Sequence, residues 1–355
     1  TKVYAAPNLL TVCAHLHNRE KLIRCLAPDN NPVKPALALS DVKGQHQAKR
    51  SLIIAAAGKH NLLLYGPPGT GKTMLAQRLP SILPPLSTQQ ALEVAAIHSI
   101  VRTGSTGTFN RTNDRTPPFR APHHTASAVA MIGGGAKANP GEVSLAHEGV
   151  LFLDELPEFQ RRVLEVMREP LESAFVSLSR ANYKTSFPAN LQLVAAMNPC
   201  PCGYFGDASK ECRCTPDQIQ RYKDKISGPL LDRIDLQVPV RPLDRGELHG
   251  IDSAPQNNTK VQDQVAQAHQ TQRTRQGCLN CQLDQQLLSF HCRLSNSLVE
   301  LLENAAKQLD LSARAQHRTI KVARTIADLG ACGEIEESHL LEALTYRSMN
   351  RAEKH

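Results

Sequence analysis

Four short, largely apolar runs, each followed by glycine or a polar residue, are spread along the first two thirds of the chain. They cover residues 62–65, 149–153, 191–197 and 236–240. Apolar runs of this length are typical of strands that are buried on both faces of a parallel sheet. Segments before and between the runs are predicted to be helical, and they include 47–58, 89–100, 160–174 and 219–231. The pattern predicts an α/β fold with helices packed on a parallel sheet.

The pattern changes near residue 245, where strand signals stop. Helical spacing continues over residues 259–275, 284–291, 295–309, 312–329 and 337–347. We therefore expect an αβα core at 37–245, followed by an all-α lid at 246–355. Residues 1–36, in which four prolines surround a helical stretch at 8–26, are predicted to be a linker.

A long irregular segment, 103–147, interrupts the predicted core and is rich in glycine, proline, asparagine and histidine. Irregular segments of this length inside a compact domain are usually functional or disordered. Its two adjacent histidines, His123 and His124, would point in different directions and make a poor metal pair. A structural or polyanion-contacting role is favoured for them.

The chain carries 41 Lys and Arg residues against 33 Asp and Glu residues, a formal net charge of +8. This balance favours a polyanionic partner such as DNA, although an ordinary basic enzyme fits the charge equally well. No apolar run is long enough to span a bilayer, and no signal pattern begins the chain. A cytoplasmic protein without a membrane partner is expected.

A glycine-rich phosphate-binding motif follows the first predicted strand and precedes a helix-forming stretch. Its residues are Gly66, Pro67, Pro68, Gly69, Thr70, Gly71, Lys72 and Thr73. Backbone N–H groups of such a loop turn onto phosphate oxygens. Lys72 is expected to reach the β- and γ-phosphates of ATP, and the Thr73 hydroxyl to bind Mg²⁺. Upstream, the turn containing Val42, Gly44 and Gln45 either walls an adenine pocket or is a simple surface connection.

Polar residues follow two further predicted strands. Asp154 and Glu155 come directly after 149–153, where ligands bind in open α/β sheets. Asp154 suits Mg²⁺ and Glu155 suits polarisation of the attacking water, unless the pair only caps a helix. Asn198 follows 191–197 and is expected to orient that water or sense the γ-phosphate, unless it only begins an Asn-Pro turn.

Two arginines are candidates for contact with phosphate from outside the loop. Arg233 ends a predicted helix and could serve as an arginine finger to a neighbouring subunit, or pair with Asp232 or Asp235. Arg314 lies in the first turn of a basic lid helix and could reach the phosphates from the lid.

Four cysteines form two C-x-C pairs nine residues apart. They are Cys200, Cys202, Cys212 and Cys214. Four thiolates at this spacing can surround one tetrahedral ion, so a structural Zn²⁺ is favoured over reduced thiols.

Residues 176–185 alternate as a hairpin does, with the turn near 181–182. Arg180 and Lys184 would then project from its tip, unless the hairpin is only a solvated surface ribbon.

Taken together, these motifs resemble those of the magnesium-chelatase-like AAA+ ATPases of the ComM (YifB) type. The likeness runs from about residue 37 to 350 and is carried by 41–45, 66–73, 119–125, 140–147, 149–159, 195–203, 228–235, 312–315 and 322–329. It implies an AAA+ core with a helix-2 insert and a presensor hairpin, a helical lid, and a homo-hexameric ring around DNA. It also implies a preceding domain similar to that of the Lon protease, which this sequence lacks, so that 1–36 would be the remnant of the junction.

The resemblance assigns a role to each matching residue. Lys72 and Thr73 correspond to Walker A, Asp154 and Glu155 to Walker B, Asn198 to sensor 1, Arg233 to the arginine finger and Arg314 to sensor 2. The function implied is an ATP-driven DNA motor for helicase or branch-migration activity in natural transformation and recombination. In such a motor, hairpins that carry Arg180 or Lys184 would move along the phosphate backbone of DNA. The alternative is a chelatase-type motor that remodels a protein partner for metal insertion. The basic charge favours DNA.

Overall fold

A computed structural model describes residues 4–24, 37–101, 115–135, 138–180, 183–207, 210–243 and 258–347. The described part contains nine strands in three sheets. They are β1 (Leu62–Tyr65), β2 (Phe119–Arg120), β3 (Gly133–Gly134), β4 (Asn139–Pro140), β5 (Val150–Leu153), β6 (Phe175–Arg180), β7 (Tyr183–Pro188), β8 (Gln192–Met197) and β9 (Leu236–Pro239). The main sheet has the order β2-β5-β8-β1-β9 with all neighbours parallel. This sheet and the helices around it confirm the predicted α/β fold.

Helices flank the sheet and form the described part of the chain from residue 258 onward. Before the core lies α1 (Leu9–Leu16), none of whose residues is buried. In the core they are α2 (His46–Gly58), α3 (Lys72–Ala76), α4 (Thr88–Val101), α5 (Ala128–Ile132), α6 (Glu142–Leu145), α7 (Arg161–Val166), α8 (Arg168–Ser173), α9 (Pro216–Lys223) and α10 (Gly228–Leu231). In the lid they are α11 (Asn258–Gln276), α12 (Gln285–His291), α13 (Asn296–Leu309), α14 (Ala313–Leu329) and α15 (Glu337–Thr345). These five lid helices confirm the prediction that strands give way to helices after about residue 245.

Alternate strand residues pack into two different cores, as the two-residue repeat of a strand requires. Leu62 and Leu64 face a cluster with α2 and the lid helices, whereas Leu63 faces a cluster with α7 and the β6–β7 ribbon. The strands β5 and β8 are buried along their whole length. Burial on both faces explains why their sequences are almost continuously apolar.

Three predicted helices differ from the observed ones. The helix predicted at 160–174 is divided into α7 and α8 because Pro170 has no N–H to donate to the carbonyl group of Val166. The helix predicted at 219–231 is divided into α9 and α10, and Gly228 and Pro229 begin the second. The helix predicted at 8–26 is only α1, since the chain turns into a left-handed conformation at Asn18.

The described part of the predicted irregular segment contains short elements rather than a continuous loop. Strands β2, β3 and β4 and helices α5 and α6 all lie in it. The two-residue β2 pairs with β5 at the edge of the main sheet. Residues 102–114, where the segment begins, lie outside the described residues.

Buried charges join the lid to the core at Asp235. The Asp235 carboxylate accepts a hydrogen bond from Arg318 Nη1 of lid helix α14 (2.5 Å) and one from the Asn61 backbone N–H (3.1 Å). His60 Nδ1 lies 3.4 Å from it, and His60 Nε2 lies 2.7 Å from Thr325 Oγ1, also on α14. Burial would raise the pKa of Asp235, but Arg318 and His60 hold this pKa below its ordinary value.

None of the helices in the described part of the chain combines the length and the apolarity that crossing a bilayer requires.

We expect Asp235→Asn to reduce the free energy of unfolding by about 3 kcal/mol at neutral pH, because it removes the buried anion that holds the partly buried Arg318. The stabilisation from ionised Asp235 is complete above its ordinary pKa of about 3.9 and is lost as pH falls through the lower folded value. The difference between the variant and the parent should therefore shrink in acid. Urea unfolding at several pH values measures it.

The control is Asp263→Asn on the exposed side of α11, which should change stability by less than about 0.5 kcal/mol. Equal unfolding midpoints for the parent and Asp235→Asn at pH 7 would contradict the bridging role of Asp235.

Candidate active site

The phosphate-binding loop leaves β1 at Gly66 and enters α3 at Lys72. A side chain at Gly66 would place its Cβ 2.1 Å from the Val240 carbonyl oxygen, so only glycine fits against the end of β9. Gly71 has a φ of 87°, a left-handed conformation that turns the chain into the helix. Thr70 Oγ1 donates to the Pro67 carbonyl oxygen at 2.9 Å and closes the loop on itself.

The Lys72 side chain folds back across this loop. Its Nζ atom donates to the carbonyl oxygens of Gly66 (2.7 Å) and Pro67 (2.8 Å) and to Asn198 Oδ1 (3.1 Å). Burial lowers the pKa of Lys72 to about 8, and the carboxylates of Asp154 and Glu155 oppose that shift. The ammonium group is therefore held by neutral oxygens, and a phosphate would supply the anion that fits it.

Asp154 and Thr73 form a pair of oxygen ligands beside Lys72. Thr73 Oγ1 donates to Asp154 Oδ2 at 2.7 Å, and the Glu155 backbone N–H donates to Asp154 Oδ1 at 3.0 Å. A hydroxyl and a carboxylate are the oxygen donors that hold Mg²⁺ in phosphate-binding loops. The residues fit a Mg²⁺–nucleotide complex, whose bound metal would neutralise charge on the β- and γ-phosphates.

Glu155 has a left-handed backbone (φ 53°) and an exposed side chain at the end of β5. Its Oε2 lies 3.2 Å from His124 Nδ1, in the loop that follows β2. The ring centroids of His123 and His124 are 4.1 Å apart. The sequence did not indicate this contact with Glu155, because nothing in it predicted the two-residue strand that brings the loop to β5.

The loop after Asn198 packs on the phosphate-binding loop. Gly203 has a φ of 87°, and a Cβ there would approach Pro68 Cδ to 2.7 Å. The four cysteine sulfurs on either side of this glycine all lie within 4.8 Å of one another. Tetrahedral zinc with Zn–S bonds of about 2.3 Å separates its sulfurs by about 3.8 Å. Backbone N–H groups of Tyr204 and Arg213 lower the pKa of Cys202 to about 6, whereas desolvation and the neighbouring cysteines raise the pKa of Cys212 and Cys214.

The turn at 39–45 reaches the same loop. Gln45 Nε2 donates to the carbonyl oxygens of Arg241 (2.7 Å) and Thr70 (3.5 Å). Gln45 and Gly44 both have positive φ, and Val42 is buried in the core. The turn therefore lies against the phosphate-binding loop at its Thr70 end.

Arg233 and Arg314 both lie near one carboxylate that the sequence did not single out. Arg233 is 5% exposed, and its Nη2 lies 2.7 Å from Glu172 Oε2 while its Nη1 donates to the Pro229 carbonyl oxygen at 2.6 Å. Arg314 Nη1 lies 3.9 Å from Glu172 Oε1. Arg233 thus has an acidic partner, but the partner is Glu172 of α8 rather than Asp232 or Asp235.

The predicted hairpin is the ribbon β6–β7. Its register pairs Ser179 with Lys184 and Arg180 with Tyr183, so Arg180 and Lys184 lie at its far end. Residues 181–182, the predicted turn, lie outside the described residues.

Known families match nearly the whole length of the chain. The family described as "Magnesium chelatase, subunit ChlI" matches residues 38–248. The family described as "Magnesium chelatase, subunit ChlI C-terminal" matches residues 255–347. The chain belongs to the magnesium chelatase ChlI family.

Two curated proteins are similar to this ChlI-family chain along 98% of its length. YifB of Salmonella typhimurium is 48% identical over 348 residues, and competence protein ComM of Haemophilus influenzae is 46% identical over 353 residues. The match covers 68% of each relative, so the chain spans about two thirds of their length. These findings confirm the resemblance to the ComM (YifB) type.

A weaker similarity extends to a eukaryotic protein. The DNA replication licensing factor Mcm2 of Drosophila melanogaster is 24% identical over 227 residues, which cover 62% of the ChlI-family chain and 21% of Mcm2. Membership of the ChlI family implies that the chain binds a nucleotide and Mg²⁺, and it supports an ATPase activity for the chain.

For this ChlI-family chain we expect Glu155→Gln to bind ATP normally but to hydrolyse it about 10²–10⁴ times more slowly, because the amide cannot accept a proton from the attacking water. Binding of a fluorescent ATP analogue and phosphate release measure the two effects. Glu158→Gln, an exposed carboxylate one turn further on, is the matched control and should turn over normally. Near-normal turnover by Glu155→Gln would reject its role.

Proposed function

We propose that the protein is an ATP-hydrolysing ring motor that acts on DNA in the cytoplasm, with helicase or branch-migration activity in natural transformation and recombination. The observation that carries this proposal is the arrangement at the carboxyl ends of β1, β5 and β8. There Lys72 contacts Asn198, Thr73 contacts Asp154, and Glu155 is the next residue after Asp154. Hydrolysis needs these groups together: a cation for the phosphates, ligands for Mg²⁺ and a base for water.

Within this proposal each polar group has one task. Lys72 and the backbone N–H groups of the phosphate-binding loop bind the phosphate oxygens. Asp154 and Thr73 hold the metal, Glu155 accepts the proton of the attacking water, and Asn198 orients that water. The turn with Val42, Gly44 and Gln45 lies beside the base of the nucleotide.

Assembly supplies the remaining groups. Arg233 would contact the γ-phosphate bound by a neighbouring subunit of a homo-hexamer, and Arg314 would reach the phosphates from the lid. The division into a core at 37–245 and a lid at 246–355 belongs to the same proposal. The choice of DNA as the partner is supported by the net charge of +8 and by the names of two relatives, competence protein ComM and DNA replication licensing factor Mcm2. Arg180 and Lys184, at the far end of the β6–β7 ribbon, would contact its phosphate backbone.

The four-cysteine cluster is proposed to bind a structural Zn²⁺. Four thiolates leave no open position on the ion, so it takes no part in the chemistry. Its effect is to fix residues 200–214, whose Gly203 packs on Pro68 of the phosphate-binding loop.

A second candidate function is a chelatase-type motor that remodels a protein partner for metal insertion. It is favoured by the description of the matching family, a magnesium chelatase subunit. The response of the ATPase to DNA separates the two.

We expect single-stranded and forked DNA to stimulate the ATPase rate. The stimulation should fall steeply between about 50 and 200 mM salt, because DNA binding releases counterions from the phosphates and added salt opposes that release. Replacing Arg180 and Lys184 together by Ala should weaken the stimulation. The control replaces two exposed lid cations, Lys260 and Lys307, by Ala. An ATPase rate that DNA leaves unchanged would favour the chelatase-type motor.

Elemental analysis of the purified protein should find about one zinc per chain, as four thiolate ligands require. Cys212→Ser should remove the metal and lower thermal stability, since the loop loses its cross-link. Cys13→Ser, at an exposed free thiol, should change neither quantity. A stably folded parent protein that is free of metal argues against the site.

A further inference from the structure

Glu172 lies where three parts of the molecule meet. It is on the last turn of α8, and α8 leads directly into the first strand of the β6–β7 ribbon. Ser173 ties this junction, since its Oγ donates to the carbonyl oxygen of Glu169 at 3.0 Å and accepts from the Phe175 backbone N–H at 3.2 Å. These hydrogen bonds connect the start of the ribbon directly to the end of α8, where Glu172 lies.

The Glu172 carboxylate contacts the two arginines proposed to act on phosphate. One oxygen lies 2.7 Å from Arg233, just before β9, and the other lies 3.9 Å from Arg314, at the start of lid helix α14. The hydrogen bond from Arg233, and then the charges of Arg233 and Arg314, lower the pKa of Glu172 even though burial opposes the shift. Glu172 is therefore a carboxylate at neutral pH and carries the negative charge that the two arginines face.

While these contacts persist, the Arg233 side chain is too buried to reach a phosphate held by another subunit. Its Nη1 and Nη2 are bonded within its own subunit, to Pro229 and Glu172, and its Nε is buried without a partner. The Arg233 side chain is 6% exposed, whereas that of Glu172 is 54% exposed. A phosphate that approaches from solvent therefore meets the negative Glu172 before it can reach the positive Arg233.

From this arrangement we propose that Glu172 is a positioning residue that withholds Arg233 from the neighbouring nucleotide until the β6–β7 ribbon is displaced. The proposal rests on the proposed function and deepens it by naming the link between its DNA site and its ATP site. DNA bound at the ribbon moves α8, the carboxylate leaves Arg233, and the guanidinium becomes free to contact the γ-phosphate.

The test compares Glu172→Gln with the parent protein in steady-state ATPase assays, with and without a single-stranded oligonucleotide. Gln keeps the shape of the side chain but removes the charge that holds Arg233. The DNA-free kcat should rise by about fivefold or more, at the lower end of known couplings between sites, with little change in KM for ATP. The ratio of the rates with and without DNA should fall correspondingly.

Two further variants show that the effect acts through Arg233. Glu169→Gln, an exposed carboxylate one turn earlier on α8, should behave as the parent does. Adding Arg233→Ala to Glu172→Gln should abolish the increase, because the released group is then missing. If circular dichroism shows that the Gln variant is unfolded, Glu172→Asp, which is one methylene shorter, replaces it and should raise the DNA-free rate in the same direction.

A DNA-free rate equal to or below that of the parent would overturn the proposal, since Glu172 would then support Arg233 or leave it unaffected. Failure of the proposed function gives a different result. In that case the parent is not stimulated by DNA, while the DNA-free rates of the variants still show whether Glu172 restrains Arg233.

Discussion

The contact between the Lys72 ammonium group and the neutral oxygens around it is the interaction on which the candidate site depends. A buried cation needs compensation, and here two carbonyl oxygens of its own loop and the Asn198 side chain supply it. No carboxylate is bonded directly to Lys72 in the described residues, so the positive charge is kept for an anionic ligand. The same contact joins β1 to β8, because Asn198 directly follows β8. The geometry of the loop is thereby tied to the register of the sheet.

That register follows from burial on both faces. Leu62 pairs with Val194 and Leu151 with Leu193, so the carboxyl ends of β1, β5 and β8 come to one edge of the sheet. A shift by one residue would exchange the two apolar cores, since alternate residues belong to different clusters. The positions of the site residues are therefore consequences of hydrophobic packing. The packing that sets the register also brings together the polar groups that follow each strand.

The same packing explains how much the sequence could predict. Apolar runs identified four strands of the main sheet, and the residues that follow three of them gave Lys72, Asp154, Glu155 and Asn198. The β2 strand was missed because two residues carry no periodic signal. The contact between His124 and Glu155 was missed for the same reason, since β2 positions the loop that carries His124. Glu172 was missed for a different reason: its partners come from segments far apart in the chain, and only tertiary packing brings three such segments together. The assigned role of each site residue stays a prediction.

The bridge from Asp235 to Arg318 and His60 has a consequence for how the core and the lid can move. Rotating the lid away from the sheet within one subunit would expose a carboxylate that is buried and bonded on several sides. Core and lid of one subunit are thus expected to turn as a rigid body. If subunits assemble into the proposed ring, the strain of each hydrolysis step would then concentrate at the seams between neighbouring subunits.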